Sequence, residues 1–479
     1  MIFVFEDGGS PWTLMMVSRA FRKTALGTPR IWGGISLCGE EKPASGKPVR
    51  KRPATRGTRW ESGKENCCNA KHLRRALERA KGAPLDLAIN CRDGYSIATD
   101  EKVKEMVTMV AGERLSQWRS LAFAVEDNVD LSDIFSGSLK GLTFLRLNSF
   151  HPDLYNCLRT SARNLRNVEI YVQNRPLSRL ANAPWWKHIR RLLLDIPLQQ
   201  IGSLSMAGIR TVQCRSAVDI LSKAIKLEDL TVQFPFDSKF ARVNGPIHFL
   251  RLKKLTLRNT IGLLSTISAS LLTHLEIQTG ERSDVTTLSP GSIFLPAVTH
   301  LSVFPSPPEA LASFHCPSLV ELCLSHSTEG FCPKLKNDDM VIGGWSPSND
   351  PEKHLKPSIL RIKHLFFTWT VLRDLLRFWL HDCLRELSLI DCPLPISFFK
   401  ALMVVTPSGI TCSNLQQLSV IYRSKFHGKG MGRDEGEVIL RDIYTQRKEQ
   451  NLGLRRVIAQ WLESRVEYGD DSAITVETA

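Results

Sequence analysis

Cys316, Cys323 and Cys332, with His315 and His326 among them, bring thiols and imidazoles close enough in sequence to suggest a zinc site. Structural zinc sites draw their ligands from closely spaced pairs, typically two cysteines two to four residues apart. None of the twelve cysteines stands in a C-x-x-C pair, and the adjacent Cys67 and Cys68 can neither bridge each other nor share a tetrahedral ion. The metal reading is therefore set aside, and the thiols read as reduced. Gly57 and Gly63-Lys64 outline a phosphate-binding loop, but five residues separate the glycines where four are required, and Glu65 stands where Ser or Thr must reach magnesium. No G-x-S-x-G, H-E-x-x-H or G-x-G-x-x-G is present. The chain is expected not to be an enzyme and to need no cofactor.

A second set of residues carries the chemistry of recognition. Arg191, Lys254, His274 with Glu276, His300, Glu321, His364 with Phe366, and Glu386 all lie between apolar residues of a recurring pattern. That pattern is apolar-x-x-apolar-x-apolar. It runs Trp118/Leu121/Phe123, Leu142/Leu145/Leu147, Leu165/Val168/Ile170, Ile189/Leu192/Leu194, Ile209/Val212/Cys214, Leu227/Leu230/Val232 and Leu252/Leu255/Leu257. It continues as Leu272/Leu275/Ile277, Val298/Leu301/Val303, Leu319/Leu322/Leu324, Ile362/Leu365/Phe367, Leu384/Leu387/Leu389 and Leu415/Leu418/Val420. Ten of the twelve steps between first residues fall between 18 and 26.

Two apolar residues two apart point to the same face of a strand, and the residues between them point away. One such unit cannot cover its own apolar face, whereas a stack of neighbours can. The period matches that of leucine-rich repeats, so the fold class is expected to be α/β, an irregular solenoid curved over about Leu85–Val420. It is expected to be irregular because members of that repeat family often carry Asn or Cys in the turn after each strand, three residues past the third apolar position. Only Cys392 fills that place. Because neighbouring strands lie about 4.7–4.9 Å apart, the named polar side chains would form a continuous face. They are read either as a partner-binding face or as a plain solvated one.

Bulk composition agrees with a folded, soluble chain. Of 479 residues 43% are hydrophobic and 23% charged. No apolar run reaches the roughly 18–20 residues that cross a membrane; the longest candidate, Ile261–Leu275, is broken by Ser, Thr and His. Met1–Phe5 lacks a basic flank and is followed by Glu6 and Asp7, so no secretory signal is expected. Of the net +15, seven positive charges come from Lys42–Arg59, which holds no acid. A broad nucleic-acid face is therefore not expected. Lys47–Pro53 reads as a solvated linker or as a short nuclear-import signal. The expected location is cytoplasmic, and nuclear if that signal operates.

Ahead of the repeats, Leu14, Val17, Phe21 and Ala25 make an amphipathic stripe that Gly27 would stop, followed by Thr28-Pro29-Arg30-Ile31-Trp32. Val17, Ser18, Arg19, Phe21, Arg22, Ala25, Pro29, Ile31 and Trp32 match the second half of an F-box helix and its closing turn. The segment resembles the F-box-like families of fungi, as does His72–Ile89, a helix leading into a strand with Leu85, Leu87 and Ile89 alternating. The opening F-box helix with its L-P-x-E motif is missing, and Ile2–Phe5 stands where its last turn would be. The segment is thus read as a truncated F-box, or as a plain capping helix of the solenoid. The resemblance implies docking on a Skp-type adaptor of a cullin ubiquitin ligase through Trp12, Leu14, Val17, Phe21 and Trp32. That docking is weakened by the missing helix, and the solenoid holds a target protein. The alternative is a repeat scaffold that does not bind the adaptor.

The expected organisation is a helical segment at 1–37, a basic disordered linker at 38–70 and the solenoid at 71–422, with a surface loop inserted at about 332–357. A linker at 423–436, a C-terminal capping helix at 437–466 and a disordered tail at 467–479 complete it.

Overall fold

The computed structural model describes residues 19–29, 34–38, 65–66, 70–91, 100–125, 131–132, 135, 137–148, 151–171, 178–195, 216–233, 247–258, 261–278, 293–304, 314–325, 355–363, 383–392, 398–399, 402, 405–406, 409–410, 412–422, 433–461, 464–469 and 477–478. These residues form a mixed α/β fold dominated by parallel strands and compatible with a solenoid-like architecture. They fall into two compact units, with the boundary near residues 235–250.

In the first unit, β1 (Gly34–Cys38), β2 (Glu65–Asn66), β3 (Leu85–Cys91), β4 (Trp118–Val125), β5 (Phe144–Leu147), β6 (Asn167–Tyr171), β7 (Arg191–Asp195) and β8 (Asp229–Gln233) form one parallel sheet. Its order is β2-β1-β3-β4-β5-β6-β7-β8. Parallel strands need a crossover of some length between them. Here the crossovers include α2 (Ala70–Ala80), α3 (Asp100–Ala111) and α4 (Pro152–Ser161). In α2, Leu73, Ala76, Leu77 and Ala80 are buried at helical spacing, and the helix ends at Lys81 and Gly82, both at positive φ. Gly141, in the turn before β5, is required by space: an added Cβ would stand 2.5 Å from Ser116 O. An earlier helix, α1 (Arg19–Gly27), precedes β1.

The second unit repeats the plan with β9 (Lys254–Arg258), β10 (His274–Gln278), β11 (His300–Phe304), β12 (Glu321–Ser325), β13 (Ile359–Lys363), β14 (Glu386–Ile390), β15 (Gln417–Ile421) and β16 (Arg456–Trp461). They pair in parallel and in sequence order. Two antiparallel strands, β17 (Ser464–Gly469) and β18 (Glu477–Thr478), follow β16. Among the described residues, one helix, α5 (Arg433–Glu449), lies between β15 and β16.

The apolar triplets become rows. Leu255, Leu275, Leu301, Leu322, Leu360, Leu387, Leu418 and Val457 stand side by side, and so do Leu257, Ile277, Val303, Leu324, Ile362, Leu389, Val420 and Ala459. All are buried, as are the first triplet members Leu252, Leu272, Val298, Leu319, Leu384, Leu415 and Leu454. In the first unit the corresponding rows start from Leu87 and Ile89 and end at Leu230 and Val232. The register is pinned at the strand entrance, where one carbonyl accepts two successive N–H groups of the next repeat. Lys253 O takes Thr273 N and His274 N, Thr273 O takes Thr299 N and His300 N, and Thr299 O takes Val320 N and Glu321 N. Cys392 is buried and lies in S–H contact with the carbonyls of Ile362 and Ile390, the turn-holding place the spacing assigns to it.

Several expectations are corrected. The eleventh copy is not Ile362/Leu365/Phe367: its strand is Ile359–Lys363, with Leu360 and Ile362 as the buried pair. Ile362 satisfies either alignment in sequence, and contact with Leu324 selects the earlier one. The strand expected at Ile209–Cys214 lies outside the described residues, and β7 pairs directly with β8. The linker at 38–70 contains β2, which pairs with β1, while its basic part lies outside the described residues. Leu355 and Pro357, assigned to the inserted loop, are buried ahead of β13, with Lys356 exposed between them; 332–354 lies outside the described residues. The helix expected at 437–466 begins at Arg433, inside the expected linker, and stops at Glu449. Asn451 and Gly453 then adopt positive φ, and the chain turns into β16 and β17, so the tail from 467 also contributes strand residues.

Candidate functional site

Odd-numbered positions of each five-residue strand face away from the buried rows, so register alone decides which polar residues meet. At the first position of the second unit, Lys254, His274, His300, Glu321, Ile359, Glu386, Gln417 and Arg456 are successive neighbours. At the middle position stand Thr256, Glu276, Ser302, Cys323, Arg361, Ser388, Ser419 and Ile458.

The most structured part of this face centres on two histidines. The rings of His274 and His300 stack with centroids 4.2 Å apart and planes 3° from parallel. Each ring is held by the threonine before it: Thr273 Oγ1 lies 2.9 Å from His274 Nδ1, and Thr299 Oγ1 lies 2.9 Å from His300 Nδ1. Glu321 Oε2 stands 3.8 Å from His300 Nε2, while its Oε1 accepts from Arg361 Nε at 2.9 Å. Glu276 accepts from Gln278 Nε2 at 2.6 Å. Partial burial lowers the pKa of His274 below the ordinary imidazole value, and neighbouring His300 and Lys254 push it the same way against the opposing pull of Glu321. The His274 ring is therefore neutral near pH 7.

Of the residues expected on the partner face, Lys254, His274, His300 and Glu321 are thus brought into one row, with Glu276 beside them. Glu386 is half-exposed farther along the same row, between Ile359 and Gln417. Arg191 belongs to the first unit, exposed at the start of β7 between Asn167 and Asp229. His364 and Phe366 lie outside the described residues. So do Trp12, Leu14, Val17 and Trp32 of the adaptor set; Phe21 falls within α1, and its side chain is not described.

Three groupings escape sequence reasoning because register creates them. Arg361 joins Glu321 only through the corrected alignment of β13. On the first unit, Arg146 donates to Glu169 Oε2 at 2.6 Å and lies 5.4 Å from the centre of the Tyr171 ring, whose hydroxyl donates to the same carboxylate oxygen at 3.3 Å. Nearby, Asp86 accepts from both the guanidinium of Arg119 and, at 2.7 Å, the hydroxyl of Ser120. That hydrogen bond raises the pKa of Arg119.

Of the Cys/His run considered for zinc, His326 and Cys332 lie outside the described residues. Cys323 is buried in the middle row, and Cys316 is buried in the turn before β12, where burial pushes its thiol up to about 12. The His315 ring stacks instead on Phe294, 5.2 Å away. Among the described residues no three His, Cys, Asp or Glu side chains gather closely enough to hold a metal ion. No described helix is long and apolar enough to cross a membrane. No protein-family model matches the chain, and no curated protein matches it either.

Proposed function

We propose that this chain is an F-box-like substrate-recognition subunit of a cullin-type ubiquitin ligase, whose strand face, built from leucine-rich repeats, binds target proteins. The observation that carries the target-binding half is the in-register stacking of short parallel strands. It sets Lys254, His274, His300 and Glu321 side by side on one surface. A row of alternating charge and hydrogen-bonding capacity, held by a rigid sheet, is the kind of surface on which repeat arrays recognise partners. The adaptor-binding half is supported by the F-box-like residues at 11–32 and by the helix at Arg19–Gly27.

The adaptor reading is tested by pulling down the Skp-type adaptor of the same organism with the full chain and with Leu14→Asp/Val17→Asp. Binding by the wild type and its loss in the double variant are expected, because such interfaces concentrate their energy in a few apolar anchors. If the wild type captures no adaptor, or the double variant captures as much, the chain is a protein-binding scaffold working without the ligase.

A further inference from the structure

We propose that the turns entering β5, β6, β7 and β8 form a docking surface for an acidic segment of a partner protein. The segment is a run of carboxylates closed by an apolar side chain. The surface belongs to the first unit, is separate from the His274 row, and does not depend on the ligase reading.

One turn is built four times. Residues 139–143, 162–166, 186–190 and 224–228 each bury their first and fourth side chains, Leu139/Leu142, Ala162/Leu165, Trp186/Ile189 and Ala224/Leu227. In each, the N–H of the fourth residue donates to the carbonyl of the first, at 3.0, 3.5, 3.1 and 3.1 Å in that order. The second, third and fifth residues remain exposed or half-exposed. The turns stack as the strands do. Thr143 O accepts from Arg166 N at 3.0 Å, Arg166 O from Arg190 N at 2.7 Å and Arg190 O from Glu228 N at 2.8 Å. Asn164 Nδ2 also donates to Lys140 O at 2.8 Å. The same turn on successive rungs puts its second residues in one column, Lys140, Arg163, Lys187 and Ile225, all of them exposed.

Arg166, Arg190 and Lys226 stand beside that column, so within these turns six cations meet one acid, Glu228, 3.8 Å from Arg190 Nη1. Like charges on rungs about 4.7–4.9 Å apart repel one another, and an approaching polyanion relieves that repulsion. His188, in the third turn, registers the field: burial lowers its pKa, and Lys187, Lys226 and Arg166 push it the same way. Four rungs span about 14 Å, the length of about four extended residues. The guanidinium forks of Arg163, Arg166 and Arg190 suit carboxylates, which accept two hydrogen bonds from such a group. Ile225 selects protein over nucleic acid. It is 54% exposed at the end of the column, where it can cover an aliphatic side chain but finds no counterpart on a sugar-phosphate backbone.

The test is fluorescence anisotropy of a labelled peptide of consecutive glutamates closed by leucine, titrated with the full chain at low ionic strength. The wild type should bind it, more weakly as salt is added, and should not bind the glutamine analogue. Arg163→Glu/Lys187→Glu should weaken binding about 10-fold or more. Arg441→Glu/Arg455→Glu, the same charge change at exposed sites of the second unit, should leave it unchanged. Ile225→Ser should weaken binding of this peptide and leave binding of the all-glutamate peptide as it was. Every changed side chain is exposed, so each variant should keep the wild-type far-UV circular dichroism. The proposal is overturned by a wild type that does not bind, by equal binding of the Arg163/Lys187 variant, or by an equal loss in the second-unit variant. Tighter binding of an oligothymidylate of the same charge overturns it too, in favour of nucleic acid.

Discussion

Leu275 and Glu276 are neighbours in sequence with opposite fates. Leu275 is 2% exposed between Leu255 and Leu301, whereas Glu276 faces outward and bonds Gln278. Leu275→Asp buries a charge with no partner among leucines and is expected to cost several kcal/mol. Glu276→Ala gives up a half-exposed hydrogen bond and should stay within about 0.5 kcal/mol. Urea midpoints of the two variants measure this, and equal shifts would contradict the strand register. Both fates were legible from two-residue alternation alone. His364 and Phe366 were not placed in the same way, because their assignment hung on an alignment that begins at Ile362 rather than ending there. At Gly141 the decisive neighbour is Ser116 O, a contact between separate stretches of chain. Gly141→Ala should lower the melting temperature by several degrees even though alanine suits most turns; an unchanged value would mean the backbone yields without cost.

Among the elements, the C-terminal helix and the strand after it show where periodicity becomes ambiguous. Val438, Ile439 and Ile443, followed by Leu454, Val457, Ile458, Trp461 and Leu462, suit a helix of period 3.6 throughout. Leu454/Val457/Ala459 equally suits the strand triplet, but the small Ala459 hides it. The ladder of β15 settles the choice by pairing Leu418 with Val457 and Val420 with Ala459. The helix is anchored by Arg447, fully buried, whose guanidinium donates to Leu402 O at 3.1 Å and to Cys412 O at 2.6 Å. Burial lowers its pKa, although the basic range of arginine leaves it charged. Arg447→Ala empties that space and strips two carbonyls of a donor, at about 1–3 kcal/mol for each group left unpaired. Loss of several kcal/mol in chemical denaturation is expected. A variant as stable as wild type would show that α5 is held by its apolar face alone.

At the scale of the whole molecule, each unit is a row of strands in which every strand covers its neighbours. In the second unit the last parallel strand, β16, is followed by antiparallel β17 and β18. A change of direction closes the ladder without offering another parallel edge, and repeat arrays need such a cap to stay soluble. Ending the chain after Ile421 removes α5 and β16–β18 and bares the edge of β15. That protein is expected to self-associate or to lose cooperative unfolding, as read by light scattering and thermal far-UV circular dichroism. A truncated chain that remains monomeric and unfolds in one sharp step would mean that the cap is dispensable.

Period and alternation, which are properties of the chain itself, determined that short strands recur, which residues of each face inward, and that Lys254, His274, His300 and Glu321 face the other way. They could do so because a strand's faces follow from backbone geometry, whatever it packs against. Only the tertiary structure decided which neighbours each strand has. Pairing with Leu324 placed β13 on Leu360 and Ile362, pairing with β15 turned Arg456–Trp461 from helix to strand, and stacking on adjacent rungs brought two imidazoles, separated by 26 positions in the chain, to 4.2 Å. Such choices depend on contacts between distant segments, and a local pattern that fits two alignments carries no information about which of them the neighbouring rows will fill.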